Sequence, residues 1–560
     1  MDKDRRIAFL TLKDIEENGR WANLALGAAL SGKPSGKTSS SETAANPAFV
    51  RELVYGVLRN QKLLDYNIAR FLKKPKLSVN ERLLFRMGFY QLALMDGVAD
   101  HAAINETVAI AAAFMKGRQG FINAVLRSFQ RDGKRLLDDG PLTRWSCAKW
   151  IADLWTAQYG ADKAEELMKA SCTPAPLTIR ANLARISRAE LKAALQSGAD
   201  IQGAAAGQSG AAASANLARN SRTEQKAALE SGFEVKETAL SGRCFEVSET
   251  ALSDRCLEVK GSGLLDTQLY KQGYFSVQGE ASCCAVEQLL ADLAAPQFNE
   301  PATQQSYTLA AQQNNGFAAQ QPNDPGAQQF GPLVVDLCAA PGGKSCAAAE
   351  LLAARQNAAA QQASSKATQQ LSNSADSQPG HVLSFDLYPH RVELIEKEAK
   401  RLGLGSIITA KAADTQQPLT ELFGQADYVI ADVPCSGLGT LRRDPEIKLR
   451  ERTPAESAKA LEELTKIQYN ILVNALRIVK PGGRVAYSTC TVNKAENGDL
   501  VRKVLADIAG QAAGDAPTHG NPATNAQAAK RFAIVSETQL FQTEGGPDGF
   551  YICVIAAEPL

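Results

Sequence analysis

The sequence predicts three domains in series: an all-α domain over 1–140, a small α/β module over 145–265, and an α/β domain with a parallel sheet over 270–560. Three observations predict them. Apolar residues recur at helical spacing, without strand-like alternation, up to about residue 140. A weaker, internally duplicated stretch follows. From residue 331 onward short apolar runs alternate with amphipathic helices, the pattern of a parallel sheet covered on both faces. At 560 residues the chain is in any case too long for one core.

In the first domain, Asn46-Pro47 reads as an N-cap followed by proline at the first helical position. Behind it Val50, Leu53, Val54, Val57 and Leu58 repeat at helical spacing. NERLLFRMGFYQLALM, HAAINETVAIAAAF and FINAVLRSF supply further amphipathic helices. The polar stretch Ser31 to Ser41 is a loop. It imitates a phosphate-binding loop but has Ser31 where the first glycine is needed, so nucleoside triphosphate binding there is rejected.

In the module, RWSCAKWIADLWTAQYG and ADKAEELMKAS read as helices and APLTIRAN as a strand. ANLARISRAELKAALQSG, from Ala181, returns as ANLARNSRTEQKAALESG from Ala215; ETALSGRCFEV, from Glu237, returns as ETALSDRCLEV from Glu249. Two copies are too few for a solenoid. One copy of each is expected to pack, the other to be a surface excursion.

The segments 296–329 and 356–380 are rich in Gln, Ala, Ser and Asn. Their composition cannot offset the entropy of ordering, so both are expected to be disordered insertions. Between and after them lie PLVVDLC, CAAAELLAA, HVLSFDL, HRVELIEKEAKRLG, SIITAKA, ADYVIADV, a long helix from about Pro454 to Val479, GGRVAYST, another helix, and the strands RFAIVSE and GFYICVIAAE. No helix separates the last two strands, so the final one is expected to be antiparallel.

No apolar run is long enough to span a bilayer and no signal peptide is evident. Eleven cysteines without a framework spacing imply a reducing cytoplasm, and with only four histidines and no C-x-x-C pair no metal site is expected. The net charge is +1, so the global field does not announce nucleic acid. Locally, Arg51, Arg59, Lys62, Arg70, Lys73, Lys74, Lys76, Arg82 and Arg86 face only Glu52, Asp65 and Glu81. A basic surface suited to a phosphate backbone is expected there.

The chemistry-bearing residues gather where strands end. Val335-Asp336-Leu337 runs into the small-residue loop Cys338-Ala339-Ala340-Pro341-Gly342-Gly343-Lys344 and then a helix, a setting in which a ligand can approach the backbone. The absence of G-x-G-x-x-G counts against a nicotinamide enzyme, and Cys338 stands where a triphosphate loop needs glycine. A nucleoside ligand fits better. Asp386 ends the next strand, where a carboxylate can accept from ribose hydroxyls, and Asp414 closes a third, placed for an adenine edge. Asp432-Val433-Pro434-Cys435 and Ser488-Thr489-Cys490 deliver two thiols and a carboxylate to the same crevice. Cys338, Cys346 and Cys553 read instead as small buried apolar residues. A thiolate adding to carbon 6 of a pyrimidine makes carbon 5 nucleophilic toward a methyl group. A carboxyl at N3 and the exocyclic amine, with a base for the carbon-5 proton, completes the reaction.

DLCAAPGGK, ADVPCSGLGT-x-RRDPEIK and YSTCT-x-x-x-x-EN resemble the motifs of the Sun-type rRNA cytosine-5 methyltransferases. ELVYGVLRNQKLLD, RMGFYQLALM, HAAINETV and GFINAVLR resemble the NusB-like RNA-binding domain that precedes them in RsmB-type members; GYFSVQGEAS and GPDGFYICV complete the likeness. The resemblance implies a Rossmann-like methyltransferase domain and S-adenosylmethionine held by Cys338, Ala339, Ala340, Pro341, Gly342, Gly343 and Lys344, with Asp386, Asp414 and Asp432. It implies Cys490 as nucleophile, Cys435 in product release and Asp432 positioning the base. The implied substrate is a cytosine in small-subunit (16S) rRNA, and the enzyme is expected to be a cytoplasmic monomer with no membrane partner. Two rivals remain: a DNA cytosine-5 methyltransferase with the P-C cysteine as nucleophile, and a non-catalytic RNA-binding assembly factor.

Overall fold

The computed structural model describes residues 1–30, 45–73, 76–198, 244–293, 331–365, 380–514 and 530–559. Its N-terminal part is a helical array: α1 (Lys3–Asn18), α2 (Ala22–Leu30), α3 (Pro47–Arg59), α4 (Gln61–Ala69), α5 (Val79–Ala93), α6 (Asp100–Phe114) and α7 (Gln119–Arg131). The Asn46 side chain accepts from Ala48 N and Phe49 N ahead of Pro47. Ser78 and Glu81 form a reciprocal capping box that starts α5. Phe9, Leu53, Val57, Phe85, Phe89 and Phe129 share one core; the Phe89 and Phe129 rings stack 4.0 Å apart. The loop read over Ser31–Ser41 lies outside the described residues.

This array corrects the expected basic surface. Arg86 is buried and donates to Asp65 (Nε to Oδ1, 2.7 Å) and Glu16 (Nη1 to Oε2, 2.8 Å). Glu16 also pairs with Arg82, and Arg70 with Asp132 at 3.2 Å. Arg59 is buried and donates to the Arg442 carbonyl at 2.9 Å; Lys62 donates to the Cys147 carbonyl at 2.7 Å. Apart from Asp65, the partners lie outside the segment, so a local count of charges cannot see them. Arg51, Lys73 and Lys76 remain exposed, and Lys74 lies outside the described residues.

Three helices, α8 (Pro141–Arg144), α9 (Lys149–Tyr159) and α10 (Ala161–Ala170), lead to the small sheet. That sheet comprises β1 (Thr178–Ala181), β2 (Glu246–Glu249), β3 (Cys256–Lys260) and β4 (Phe275–Val277), in the order β2-β3-β1-β4 with every pair antiparallel. Helix α11 (Arg188–Ser197) packs on it. For the second repeat the structure differs from the expectation. The ends of both copies form strands, β2 and β3, that pair with each other, and Phe245, Val247, Leu257 and Val259 are all in the core. A strand copied with its alternating apolar pattern finds a ready edge to join. In the first repeat, the copy from Ala215 lies outside the described residues.

The large sheet contains β5 (Leu333–Asp336), β6 (His381–Asp386), β7 (Ile408–Ala412), β8 (Ala426–Asp432), β9 (Val479–Thr489), β10 (Lys530–Leu540) and β11 (Phe550–Pro559). Its order is β10-β11-β9-β8-β5-β6-β7. Strands β5 to β9 run parallel. As expected, the last strand is antiparallel; it inserts between β9 and β10. From β5 the chain winds outward to β7 and then returns to β8 on the other side, so the topological switch point lies between the carboxyl ends of β5 and β8. The insertion placed over 296–329 lies outside the described residues. The one placed from Gln356 begins inside the helix Gly343–Ser365, since Ala and Gln are good helix formers; 366–379 lie outside the described residues.

A buried ion cluster ties the two sheets together. Arg180 on β1 and Arg255, next to β3, both pair with Glu350 on the helix that follows β5, and Arg180 and Glu350 are fully buried. Arg180 Nη1 also donates to the Gly343 carbonyl at 2.9 Å. The small sheet thus holds the start of that helix.

Candidate active site

Asp432, the last residue of β8, pairs in register with Ser488 on β9. Two residues beyond Ser488 stands Cys490, and three beyond Asp432 stands Cys435. Equal strand ends therefore bring the thiols together: Cys435 Sγ and Cys490 Sγ are 3.2 Å apart. This is a thiol contact, since a disulfide would be near ~2.0 Å. Both cysteines are half-buried.

The same loops are fastened to each other by backbone. Gly439 N donates to the Cys490 carbonyl at 3.0 Å, and Gly549 N to the Gly439 carbonyl at 2.9 Å. A Cβ on Gly439 would lie 2.0 Å from Gly549 O, so only glycine permits the approach. Arg442, fully buried, and Arg443 both pair with Asp548, the acid of GPDGF. Outside them, Trp150, Trp155 and Leu167 of α9 and α10 pack on Leu438, Leu441 and Val492. Trp150 Nε1 donates to the Arg450 carbonyl at 2.8 Å.

Asp432 faces the switch point. Its Oδ2 accepts from Lys344 Nζ at 2.6 Å and its Oδ1 from Ser488 Oγ at 2.7 Å. Lys344 also donates to Ser282 Oγ at 2.7 Å and lies over the Phe550 ring, 5.3 Å from its centroid. The structure thus joins Cys435, Cys490, Asp432 and Lys344 in one locus. The loop Cys338 to Gly342 passes between β5 and this locus. Gly342 has φ 108°, and a Cβ there would come within 3.2 Å of Ile395 Cα.

Asp386 ends β6 nearly buried; its Oδ2 accepts from Ala340 N and its Oδ1 from Tyr388 N, both at 3.3 Å. Asp414, two residues past β7, accepts from Gln416 N at 3.1 Å. These carboxylates line successive strand ends beside the Cys338–Lys344 loop. Cys346 and Cys553 are buried as read, whereas Cys338 is half-buried.

The Cys435 thiol is pushed well above the ordinary cysteine range, first by its contact with Cys490, then by burial and by the charge of Glu496. Asp336, fully buried at the end of β5, is pushed up to about 6 by burial, against the hydrogen bond it accepts from Ser345 Oγ. Asp336 and Ser345 anchor the loop from beneath.

Sequence reasoning missed Ser282, Phe550, Glu496 and Asp336 as parts of the site. The first three sit inside GYFSVQGEAS, GPDGFYICV and the EN pair after Cys490, segments that carried a resemblance without a role. Position within those motifs was the available signal.

Three family models match the chain in order. They are the NusB family over residues 2–131, the RsmF/B-like ferredoxin-like domain over 147–215, and the 16S rRNA methyltransferase RsmB/F over 375–556. The chain is 28% identical over 569 residues to the "Probable ribosomal RNA small subunit methyltransferase B" of Bacillus subtilis, covering 98% of this chain and 97% of that protein. It is 27% identical to the "Ribosomal RNA small subunit methyltransferase B" of Pseudomonas syringae, covering 94% of each. Among solved structures, the crystal structure of PH0851 shares the fold, with TM-score 0.58, 18% identity, and 98% and 97% coverage.

Proposed function

From the premise that this chain, with a NusB domain, a ferredoxin-like domain and an RsmB/F methyltransferase domain in that order, is an RsmB-type protein, we propose that it methylates carbon 5 of a cytosine in small-subunit (16S) rRNA. The methyl donor is S-adenosylmethionine and the reaction passes through a covalent adduct. One observation carries this reading: two thiols 3.2 Å apart at the ends of adjacent parallel strands, beside the Asp432–Lys344 pair.

The residues at the switch point fit a nucleoside donor. Close backbone approach is possible along Cys338, Ala339, Ala340, Pro341, Gly342, Gly343 and Lys344, and Asp386 and Asp414 stand at the neighbouring strand ends for ribose and base. Bound there, S-adenosylmethionine supplies a methyl group activated on sulfonium sulfur. The lines of lysine and aspartate serve the cytosine. The Asp432 carboxylate accepts from the exocyclic amine, and the Lys344 ammonium stabilises the negative charge that spreads over the ring on addition.

In this reading the thiol pair carries one proton, which stays on Cys435 while Cys490 adds. Cys490 thiolate adds to carbon 6, and the ring electrons move to carbon 5, which bonds to the methyl group. Once Cys490 sulfur is bonded to carbon it is uncharged, so the largest cause of the Cys435 elevation is gone. Cys435 gives its proton to solvent, the one proton the net reaction releases, and takes the carbon-5 proton. The ring double bond re-forms and Cys490 leaves as thiolate. Cytosine must be unstacked for this, so single-stranded or loop RNA in the cytoplasm is the expected substrate.

Tritium transfer from labelled S-adenosylmethionine to RNA and to DNA tests the proposal. Transfer to RNA supports it; transfer to DNA alone, or to neither, defeats it. Bisulfite mapping of rRNA from a deletion strain then locates the cytosine.

A further inference from the structure

We propose that Glu496 is a positioning residue for the thiol pair, holding Cys435 against Cys490 by gripping the residue that follows each of them. Glu496 is fully buried and touches neither sulfur through any hydrogen bond described. Its Oε1 accepts from Ser436 N at 2.8 Å and from Gln468 Nε2 at 3.0 Å. Its Oε2 accepts from Ser436 Oγ at 2.5 Å, Asn493 Nδ2 at 3.0 Å and Thr491 Oγ1 at 3.5 Å.

Ser436 follows Cys435 and Thr491 follows Cys490. Their hydroxyls also meet each other, Oγ to Oγ1, at 2.8 Å. Gln468 Nε2 continues the brace to the Pro434 carbonyl at 2.9 Å, so the residue before Cys435 is held as well as the one after it. One carboxylate therefore organises both loops. Four donors converge on it, Ser436 N, Ser436 Oγ, Gln468 Nε2 and Asn493 Nδ2, with the single Thr491 hydroxyl proton shared between Ser436 Oγ and the carboxylate, which is the satisfaction a buried charge requires. The same charge contributes to keeping the Cys435 thiol protonated, in keeping with a role directed at Cys435.

The inference rests on the proposed roles of the two cysteines and adds a third residue to them. Addition needs Cys490 at the end of β9, which is fixed by strand pairing through Thr489. Elimination needs Cys435 to stay beside the adduct, and its loop relies on Glu496. Loss of Glu496 should therefore strike elimination harder than addition.

The test uses the full chain, labelled S-adenosylmethionine and unmodified small-subunit rRNA transcribed in vitro, with thermal melting of every variant. E496A is expected to lower turnover about 100-fold, the cost of misplacing a reacting group by about an ångström. Methylated RNA–protein adduct should accumulate on a denaturing gel, as with Cys435→Ser run in parallel. E496Q keeps the shape, and the Ser436 and Thr491 hydroxyls can turn to accept from its amide, so turnover should return to within about tenfold of the parent. Should E496A melt early, S436A, which loses the hydroxyl links but keeps the backbone bond, must show the same adduct to a smaller extent. A stably folded E496A with normal turnover overturns the inference, as does one that forms neither adduct nor product. If Cys435→Ser itself traps no adduct, it is the assignment of the cysteines that fails.

Discussion

The segment Arg51–Arg86 and the loops holding Cys435 and Cys490 make opposite use of their polar side chains. In the first, a dense run of cations is consumed inside the molecule: Arg86 by Glu16 and Asp65, Arg59 by a carbonyl of the distant Arg442. In the second, residues fifty-five positions apart meet because parallel strands in register end at the same level. Composition therefore says little about where a charge points, whereas the end of a strand in an α/β sheet has a fixed address. Reactive groups placed by topology are the ones to test first.

The largest expected effect is at the thiols. Cys490→Ser should abolish both methylation and the covalent RNA adduct, because a hydroxyl is a far weaker nucleophile than a thiolate. Cys435→Ser should leave addition and methyl transfer possible and accumulate a methylated adduct on a denaturing gel. The reverse pattern, an adduct trapped by Cys490→Ser, would exchange the roles and set the DNA-enzyme mechanism in their place.

Much of the candidate site was legible because its signals are local. The small-residue loop Cys338–Lys344, Asp432 and both cysteines each follow an apolar strand visible in the sequence. What was not legible depends on partners far away in the chain. The contact of α9 and α10 with the cysteine loops joins residues around 150 to residues around 440 and 490, and nothing in either segment announces the other. Glu496 reads as a polar residue in a short loop until Ser436, Gln468 and Asn493 are seen around it. The duplicated strand misled for a related reason: whether a copy packs depends on a free sheet edge, which the repeat itself does not encode.

Buried charge offers the next test, on stability. Glu350 is enclosed by Arg180 and Arg255. Glu350→Gln leaves two cations without their counter-charge, and unfolding in urea should register a loss of about 3–5 kcal/mol. A loss below about 1 kcal/mol would mean that water reaches the cluster and that it belongs with the surface pairs.

Asp336 gives a smaller, pH-dependent effect. Its folded pKa, about 6, lies above the ordinary carboxylate value because burial disfavours the charge. The folded state thus binds this proton more tightly than the unfolded chain. Its stabilising contribution is complete below the unfolded value of 3.8 and is lost as pH rises through about 6. Against Asp336→Asn, the parent should lose about 2–3 kcal/mol between pH 4 and pH 7. Parallel stability curves for the two proteins over that range would show Asp336 to be ordinary.

The smallest effect should come from the segment that looked most like a nucleic-acid surface. With Arg59 and Arg86 buried and Lys62, Arg70 and Arg82 held by partners within the molecule, Arg51, Lys73 and Lys76 are exposed cations left, among the described residues, to meet a phosphate backbone there. Each phosphate contact on a single strand contributes a salt slope of about −0.7. Reversing both lysines to glutamate should therefore flatten the log–log salt dependence of RNA binding by no more than about 1.4 and leave S-adenosylmethionine binding intact. A much larger change would require the internal pairs of Arg70 or Arg82 to open toward the RNA, making this region a reserve of charge. No change at all would move the RNA contact elsewhere, with the small sheet that braces the helix after β5 next to be tested.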